Sequence, residues 1–329
     1  MENESKYKKT FSSALSVAED KINDSLEYNG IPEWDSIGHM TLISALEEEF
    51  KISIETDDII DFSGYKKGKE ILSTKYKVKF KLLINMILGL IPSRLNSKRL
   101  KHKPLLSIDG LPIIVHTFKR AMLSKKLDRV IVCCDDKKIF DVVTKHGGEA
   151  ILTSKKHKNG TERIFEVAKK FKPRYVVDVQ GDEPFVDPKD IDRVIDFHKK
   201  KPMFDIIVPN MLAEHNAPSR NLVKVIFSDN GKILYFSRAL VPFDYKNVKN
   251  KYYRDLSIVS FKYEALKKYN SFREGKVEKI EGIELIRAIE NNLNLGTFTA
   301  TNSGFAVDVN QDLMKAIDLM PTDKIRKLY

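Results

Sequence analysis

Four short stretches of this 329-residue chain hold the side chains that could do chemistry. The first is IPSRLNSKRLKHKPLL, residues 91–106, which crowds Arg94, Lys98, Arg99, Lys101 and Lys103 beside Ser93 and Ser97. A basic loop of this kind can hold a triphosphate with side-chain cations and backbone N–H groups together. A solvated basic loop is the plain alternative. The second is VQGDEP (179–184), where Gly181 frees the backbone to turn Asp182 toward a ligand. A carboxylate there can hold Mg²⁺, although an ordinary turn would read the same way. The third, FAVDVNQDL (305–313), offers Asp308, which alone reads as a helix cap and matters only together with Asp182. The fourth, EWDSIGHMTLISALEEEF (33–50), places Ser36 at the head of an amphipathic run. Asp35 or Ser36 would cap a helix with Met40, Ile43, Leu46 and Phe50 on its apolar side and Glu47, Glu48 and Glu49 on its solvated one.

The elements that must position these groups change character near residues 74–86. Before that point the pattern is helical: Tyr7, Phe11, Ala14/Leu15, Ala18 and Ile22 form one stripe, then a loop with Asn29, Gly30 and Pro32, the Asp35-Ser36 helix, ETDDIIDF and a last helix near 67–73. KYKVKFK (75–81) reads as a linker or an edge strand. From Met86 onward, strand-like runs at 87–93, 129–135, 149–154, 174–180 and 205–211 alternate with helical stretches at 113–124, 137–146, 161–171 and 190–199. That rhythm predicts βαβ units and a mostly parallel sheet covered on both faces. Ligands then bind beyond the carboxyl ends of the strands, where the basic loop and VQGDEP both fall. VKVIFSDNGKILYFS (223–237) carries a hairpin signal at Asn230-Gly231. The expected class is α/β: a helical bundle over 1–74, a linker over 75–86 and a doubly wound domain over 87–329.

Charge divides the chain at the same place. Residues 1–74 hold 8 Lys+Arg against 16 Asp+Glu, a net −8, leaving 49 against 30, a net +19, for the rest. The basic part should attract anions, with nucleic acid, nucleotides, acidic sugars or an acidic domain as candidates. No apolar run approaches the length of a membrane span; the longest, residues 82–92, is far too short. The first ten residues are polar throughout, so the expectation is a cytoplasmic protein without a signal peptide. Adjacent Cys133 and Cys134 suit neither a metal site nor a disulfide framework.

Residues 87–320 resemble the CMP-3-deoxy-manno-octulosonate (Kdo) synthetases. The likeness rests on IPSRLNSKRLKHKPLL, KNGTER (158–163), VQGDEP, LVKVIFSDNGKILYFSR (222–238) and AVDVNQDL, in that family's order and spacing. It implies a cytidylyltransferase in which the anomeric hydroxyl of a 2-keto-3-deoxy sugar acid attacks the α-phosphate of CTP and releases pyrophosphate. By the same resemblance Arg94, Ser97, Arg99 and Lys103 would grip the triphosphate, with Arg94, Lys103, Asp182 and Asp308 the catalytic set. Asp182 and Asp308 would hold Mg²⁺, and Gln180, Arg163, Arg238 and Glu278 would serve the sugar acid. The family dimerises through its later sheet, so a homodimer is expected, supplying surface polysaccharide or lipopolysaccharide synthesis. In-line attack at phosphorus needs neutralised charge and alignment more than a covalent nucleophile, so no general base is assigned.

Two departures from the family pattern carry information. Lys101-His102 stand where the family has Pro-Gly, so His102 must meet whatever backbone demand the glycine met. The family's H-L-G-I-Y-G-Y is DLSIVSF (255–261) here, which puts Asp255 in place of a sugar-facing histidine and Val259 in place of a tyrosine. A carboxylate suits an amino group better than another anion, which points to an amino-modified sugar acid such as 8-amino-Kdo. Pairing with Arg254 or a lysine is the alternative for Asp255.

Residues 5–74 resemble the acyl carrier proteins, closest around Asp35-Ser36-Ile37, where that family has Asp-Ser-Leu. The resemblance implies 4′-phosphopantetheine on Ser36, added by a phosphopantetheinyl transferase, with an acyltransferase as a further partner. Three rivals are a carrier scaffold that binds nucleotide without catalysis, a CMP-sialic-acid-like synthase and a nucleic-acid binder. Asp182 with Asp308 opposes the first, VQGDEP and YFSR the second, and the lack of a recognisable module the third.

Overall fold

The computed structural model describes residues 2–78, 86–97, 99–213, 222–246, 251–300 and 304–329. Lys98 and most of the expected 75–86 linker lie outside the described residues. Contacts divide the chain into two compact units, Met1–Asn85 and Met86–Tyr329.

In the first unit, helices α1 (Glu2–Leu15), α2 (Ser36–Phe50), α3 (Thr56–Asp61) and α4 (Tyr65–Thr74) surround one apolar core. Tyr7 and Phe11 of α1, Trp34, Leu42, Ile43 and Leu46 of the α2 region, and Phe62 and Leu72 are all essentially solvent-free. Phe11 meets Trp34 edge-on at 5.2 Å between ring centroids, an arrangement aromatic quadrupoles favour. The stripe expected on α2 is corrected at one end. Leu42, Ile43 and Leu46 are buried, whereas Met40 points outward at 53 % exposure. Near the helix start the core contact is made by Trp34, which leaves position 40 on the open face.

The second unit begins with β1 (Ile87–Ser93), the short hairpin β2 (Ser107–Ile108) and β3 (Leu111–Pro112), and α5 (Ile113–Met122). There follow β4 (Arg129–Cys134), α6 (Lys137–Lys145), β5 (Glu149–Leu152), α7 (Gly160–Phe171), β6 (Tyr175–Val179) and α8 (Pro188–Lys200). Strands β7 (Ile206–Ile207), β8 (Asn210–Leu212), β9 (Lys224–Phe227), β10 (Ile233–Ser237), β11 (Tyr253–Asp255) and β12 (Ile258–Lys262) come next. The chain closes with α9 (Tyr263–Ser271), α10 (Lys276–Glu281), α11 (Ile286–Glu290), β13 (Leu295–Gly296) and α12 (Asn310–Leu319).

Seven strands form the main sheet in the order β13-β7-β12-β6-β1-β4-β5. All its pairings are parallel except the two made by β12. Alternate residues feed opposite cores, as the two-residue strand period requires. Leu88, Leu90 and Val176 pack on one face with Ile164 and Val167 of α7 and Leu266 of α9. Ile87, Ile91 and Val177 pack on the other with Phe118 of α5, Val143 of α6 and Val194 of α8. Cys133 and Cys134, the last residues of β4, point one to each core as free thiols.

The run 205–211 is two strands rather than one, joining the main sheet through β7 and a second, antiparallel sheet (β10-β9-β11-β8) through β8. Pro209 stands between them, and proline supplies no N–H to a ladder. The hairpin expected around Asn230-Gly231 is β9–β10, with Gly231 at φ +81° in its turn.

Candidate functional site

Strands β1 and β6 are neighbours, and both end at a cleft of about 700 Å³. From β1 the chain runs through Pro92, Ser93 and Arg94 into the basic loop, and from β6 through Gln180, Gly181 and Asp182. Only glycine fits at 181, because a Cβ there would stand 2.7 Å from the Pro92 carbonyl oxygen. The Asp182 carbonyl accepts the Val307 N–H at 2.9 Å, which draws the 305–309 segment alongside and brings Asp308 to Asp182.

Lys103 joins the two carboxylates. Its Nζ donates to Asp182 Oδ2 at 2.5 Å and to Asp308 Oδ1 at 3.0 Å, while Arg99 donates to the same Asp308 oxygen at 2.9 Å. Burial works against the Lys103 charge, yet the two carboxylates outweigh it and hold the ammonium pKa above its ordinary value. Asp308 is therefore not a helix cap. Asp312 accepts the Asp308 and Val309 amides at the head of α12, and the Asp308 side chain faces the cleft. Two carboxylates converging on one cation, with no group of three or more His, Cys, Asp or Glu ligands among the described residues, suit an ion that keeps phosphate oxygens and waters as its other ligands. Magnesium fits that donor set.

The loop meets its backbone demand at His102, which takes the left-handed conformation at φ +57°. Histidine tolerates that region at a cost of roughly 1 kcal/mol, so the turn is kept without glycine. Arg94, Ser97, Arg99 and Lys103 all line the cleft. Arg94 is exposed and forms no ion pair among the described residues.

The other wall gathers most of the remaining expected residues. Arg163, on the first turn of α7, is 4 % exposed and donates to Thr153 Oγ1 at 2.6 Å with Asp135 at 3.5 Å. Arg238 donates to the carbonyls of Glu281 and Gly282. Gln180 donates to Asp178 Oδ2 at 2.9 Å. Asp255 ends β11 and is half-buried. Burial raises its carboxyl pKa to about 6 against the pull of Arg254 and Arg238. Arg254 does not pair with that carboxylate, since its guanidinium donates to the Asp255 and Gly304 carbonyls. Of the local pairing considered for Asp255, the structure keeps the electrostatic pull of Arg254 without an ion pair between the two.

Glu278 is not among the lining residues. Its carboxylate takes both guanidinium arms of Arg287 at 2.8 and 2.7 Å and the Gly275 amide at 3.1 Å, a buried structural pair beside the cleft. Along with Asp255, Glu284 lines this wall; it accepts the Thr161 amide at 3.4 Å, and burial raises its pKa. Sequence reading missed Glu284 and Asp178, since nothing in IEGIEL or VVDVQ separates a lining acid from a structural one.

Residues 88–295, more than half of the chain, match the family described as cytidylyltransferase. The chain belongs to the cytidylyltransferases. Among its relatives is the 3-deoxy-manno-octulosonate cytidylyltransferase of Leptospira biflexa, 38 % identical over 234 residues, covering 70 % of this chain and 94 % of that one. That of Fusobacterium nucleatum is 34 % identical over 243 residues, covering 73 % and 98 %. The solved structure of a CMP:2-keto-3-deoxy-manno-octonic acid synthetase complexed with CTP superposes with a TM-score of 0.70 at 30 % identity, covering 72 % of this chain and 99 % of that one. This cytidylyltransferase is a nucleotidyltransferase of mixed α/β fold with a mostly parallel central sheet. No helix among its described residues is long and apolar enough to cross a membrane.

The first unit, outside the matched residues, presents Ser36 differently. Asp35 is the cap of α2: its Oδ1 accepts the Ile37 amide at 3.0 Å and the Gly38 amide at 2.8 Å. Ser36 is exposed, and its hydroxyl takes no part in that capping. His39 fixes the same turn, accepting from Trp34 Nε1 at 3.0 Å and facing the Ile59 carbonyl at 3.0 Å, so its Nε2 carries the proton. Ile37 and Ile60 are 76 % and 77 % exposed beside it, an open apolar rim.

Proposed function

We propose that this enzyme transfers CMP from CTP to the anomeric hydroxyl of a 2-keto-3-deoxy sugar acid of the Kdo type. The observation that carries the reading is the pair Asp182 and Asp308 brought together across one cation at the end of the basic loop. The anomeric oxygen attacks the α-phosphorus, the bond to the bridging oxygen of the β-phosphate breaks, and pyrophosphate leaves with that electron pair. The hydroxyl proton passes to solvent. Arg94, Ser97, Arg99 and Lys103 bind and orient the triphosphate; Gln180, Arg163, Arg238 and Asp255 line the sugar side. Asp182 and Asp308 would hold Mg²⁺, which neutralises charge on the α-phosphate when bound. Positioning and charge neutralisation suffice for this class of transfer.

The sugar acid is amino-modified in this reading, as in 8-amino-Kdo. Asp255 supports it, because a cleft carboxylate that feels Arg254 and Arg238 but forms no ion pair among the described residues is suited to an ammonium. The open Ser36 hydroxyl next to exposed Ile37 supports a second reading, that a phosphopantetheinyl transferase attaches 4′-phosphopantetheine there. An arm of that kind would serve an acyltransferase working on the sugar amine. Exposed Leu212, Leu234, Phe243 and Tyr245 support a homodimer built on the smaller sheet and its hairpin. The deciding experiment is pyrophosphate release with CTP and Mg²⁺, comparing Kdo with its 8-amino analogue. Release with the amine in preference to Kdo is expected; silence with both overturns the reading.

A further inference from the structure

Asp178 precedes Gln180 by two residues on β6 and its exit, so both side chains face the α7 side of the sheet. The head of α7 lies over them: a Cβ at Gly160 would stand 3.7 Å from Gln180 Nε2. Both residues line the cleft, and Asp178 is only 2 % exposed. Its Oδ2 accepts from Gln180 Nε2 at 2.9 Å, while Oδ1 is buried with no hydrogen-bond partner among the described residues. Burial first, and then the nearby Glu284 charge, push the Asp178 pKa well up. A protonated acid still keeps one carbonyl oxygen as an acceptor, so Oδ2 can receive the amide NH₂ in either protonation state.

A glutamine amide has two unlike ends, and a freely turning one offers a ligand either a donor or an acceptor. Here the NH₂ end is held by Asp178, which leaves Oε1 without a described partner on a half-buried side chain at the cleft wall. We infer that Asp178 is a positioning residue: it fixes the Gln180 amide with its carbonyl oxygen toward the sugar acid, so that this point of the cleft selects an O–H or N–H donor. The inference rests on the sugar-acid reading above and adds to it a polarity that no single cleft residue sets alone.

A four-way comparison of steady-state pyrophosphate release tests it, using wild type, Asp178→Leu, Gln180→Leu and the double variant. Asp178→Leu should raise the sugar-acid KM roughly tenfold, the loss of about one hydrogen bond, and move the CTP KM less than about twofold. Gln180→Leu should do the same, and the double variant should be no worse than Gln180→Leu alone, because the two act through one contact. Asp178→Asn keeps an acceptor oxygen facing Gln180 and should recover most of the lost affinity. Additive losses in the double variant would show that Asp178 acts independently and overturn the inference. Equal rises in both KM values, or none, would also overturn it. If Asp178→Leu does not fold, Asp178→Ala takes its place in the same comparison. A silent wild type would sink the sugar-acid reading and this inference together, whereas an active wild type with additive variants sinks this inference alone.

Discussion

The cleft of the second unit and the head of α2 in the first treat their functional groups in opposite ways. In the cleft several charged side chains are held in place: Lys103 spans two carboxylates, Arg163 is tied to Thr153 and Arg238 to two carbonyls. At α2 the structural duties fall on Asp35, Trp34 and His39, and Ser36 is left open to solvent. Phosphoryl transfer gains from groups held in place before the reactants arrive, because reorganisation is then already complete. The modification proposed for Ser36 would need reach instead, and would gain nothing from a side chain held in place.

That contrast can be broken, beginning with its largest expected effects. Ser36→Ala should abolish phosphopantetheine attachment, read as a mass increase with coenzyme A and a phosphopantetheinyl transferase, while pyrophosphate release tracks wild type. Attachment at another serine would remove the distinction drawn for Ser36. Asp182→Asn should cut pyrophosphate release by roughly a thousandfold, since it weakens the hold on the Mg²⁺ that would neutralise the transferred phosphate. A fall of less than about tenfold would show that the Asp182–Lys103–Asp308 arrangement is structural only.

Smaller effects sharpen the picture. Asp255→His should shift the ratio of kcat/KM for the amine over Kdo by roughly tenfold or more toward Kdo, the scale of a lost charge-assisted contact. The Asp255 carboxyl titrates near pH 6, so it is ionised above that value and neutral below it. Preference for the amine should therefore be full at pH 7.5 and fade as pH falls through 6, with the Asp255→His profile lacking that step. Smallest of all, Asp35→Ala should destabilise the first unit by about 1 kcal/mol, the worth of an N-cap, measured by denaturant melts of the full chain.

The parts of the site most legible in the sequence were those set by strand ends. ILGLIPS and RYVVDVQ read as strands, and the rule that ligands gather at carboxyl ends directed attention to the basic loop and to Asp182. Asp308 was legible only in combination, since its place depends on the backbone contact between Val307 and Asp182. Glu278 and Glu284 show where such reading stops. They lie six residues apart in one acidic stretch, and which of them lines the cleft is decided by where Arg287 sits. The run 205–211 failed for a similar reason: its hydrophobicity was read correctly, but Pro209 divides it between two sheets. Met40 kept helical spacing yet lay outside the buried face, because spacing gives a stripe's period and neighbouring elements choose how wide it is.

The division of labour between Asp35 and Ser36 has a consequence for inheritance. Since the Asp35 carboxylate makes the cap at the start of the helix, the Ser36 side chain can change without loss of that cap. Gain or loss of a cargo at that position is then a nearly silent event for the rest of the domain. Were the attachment proposed for Ser36 to take place, a lineage could abandon it in one substitution without losing the Asp35 cap.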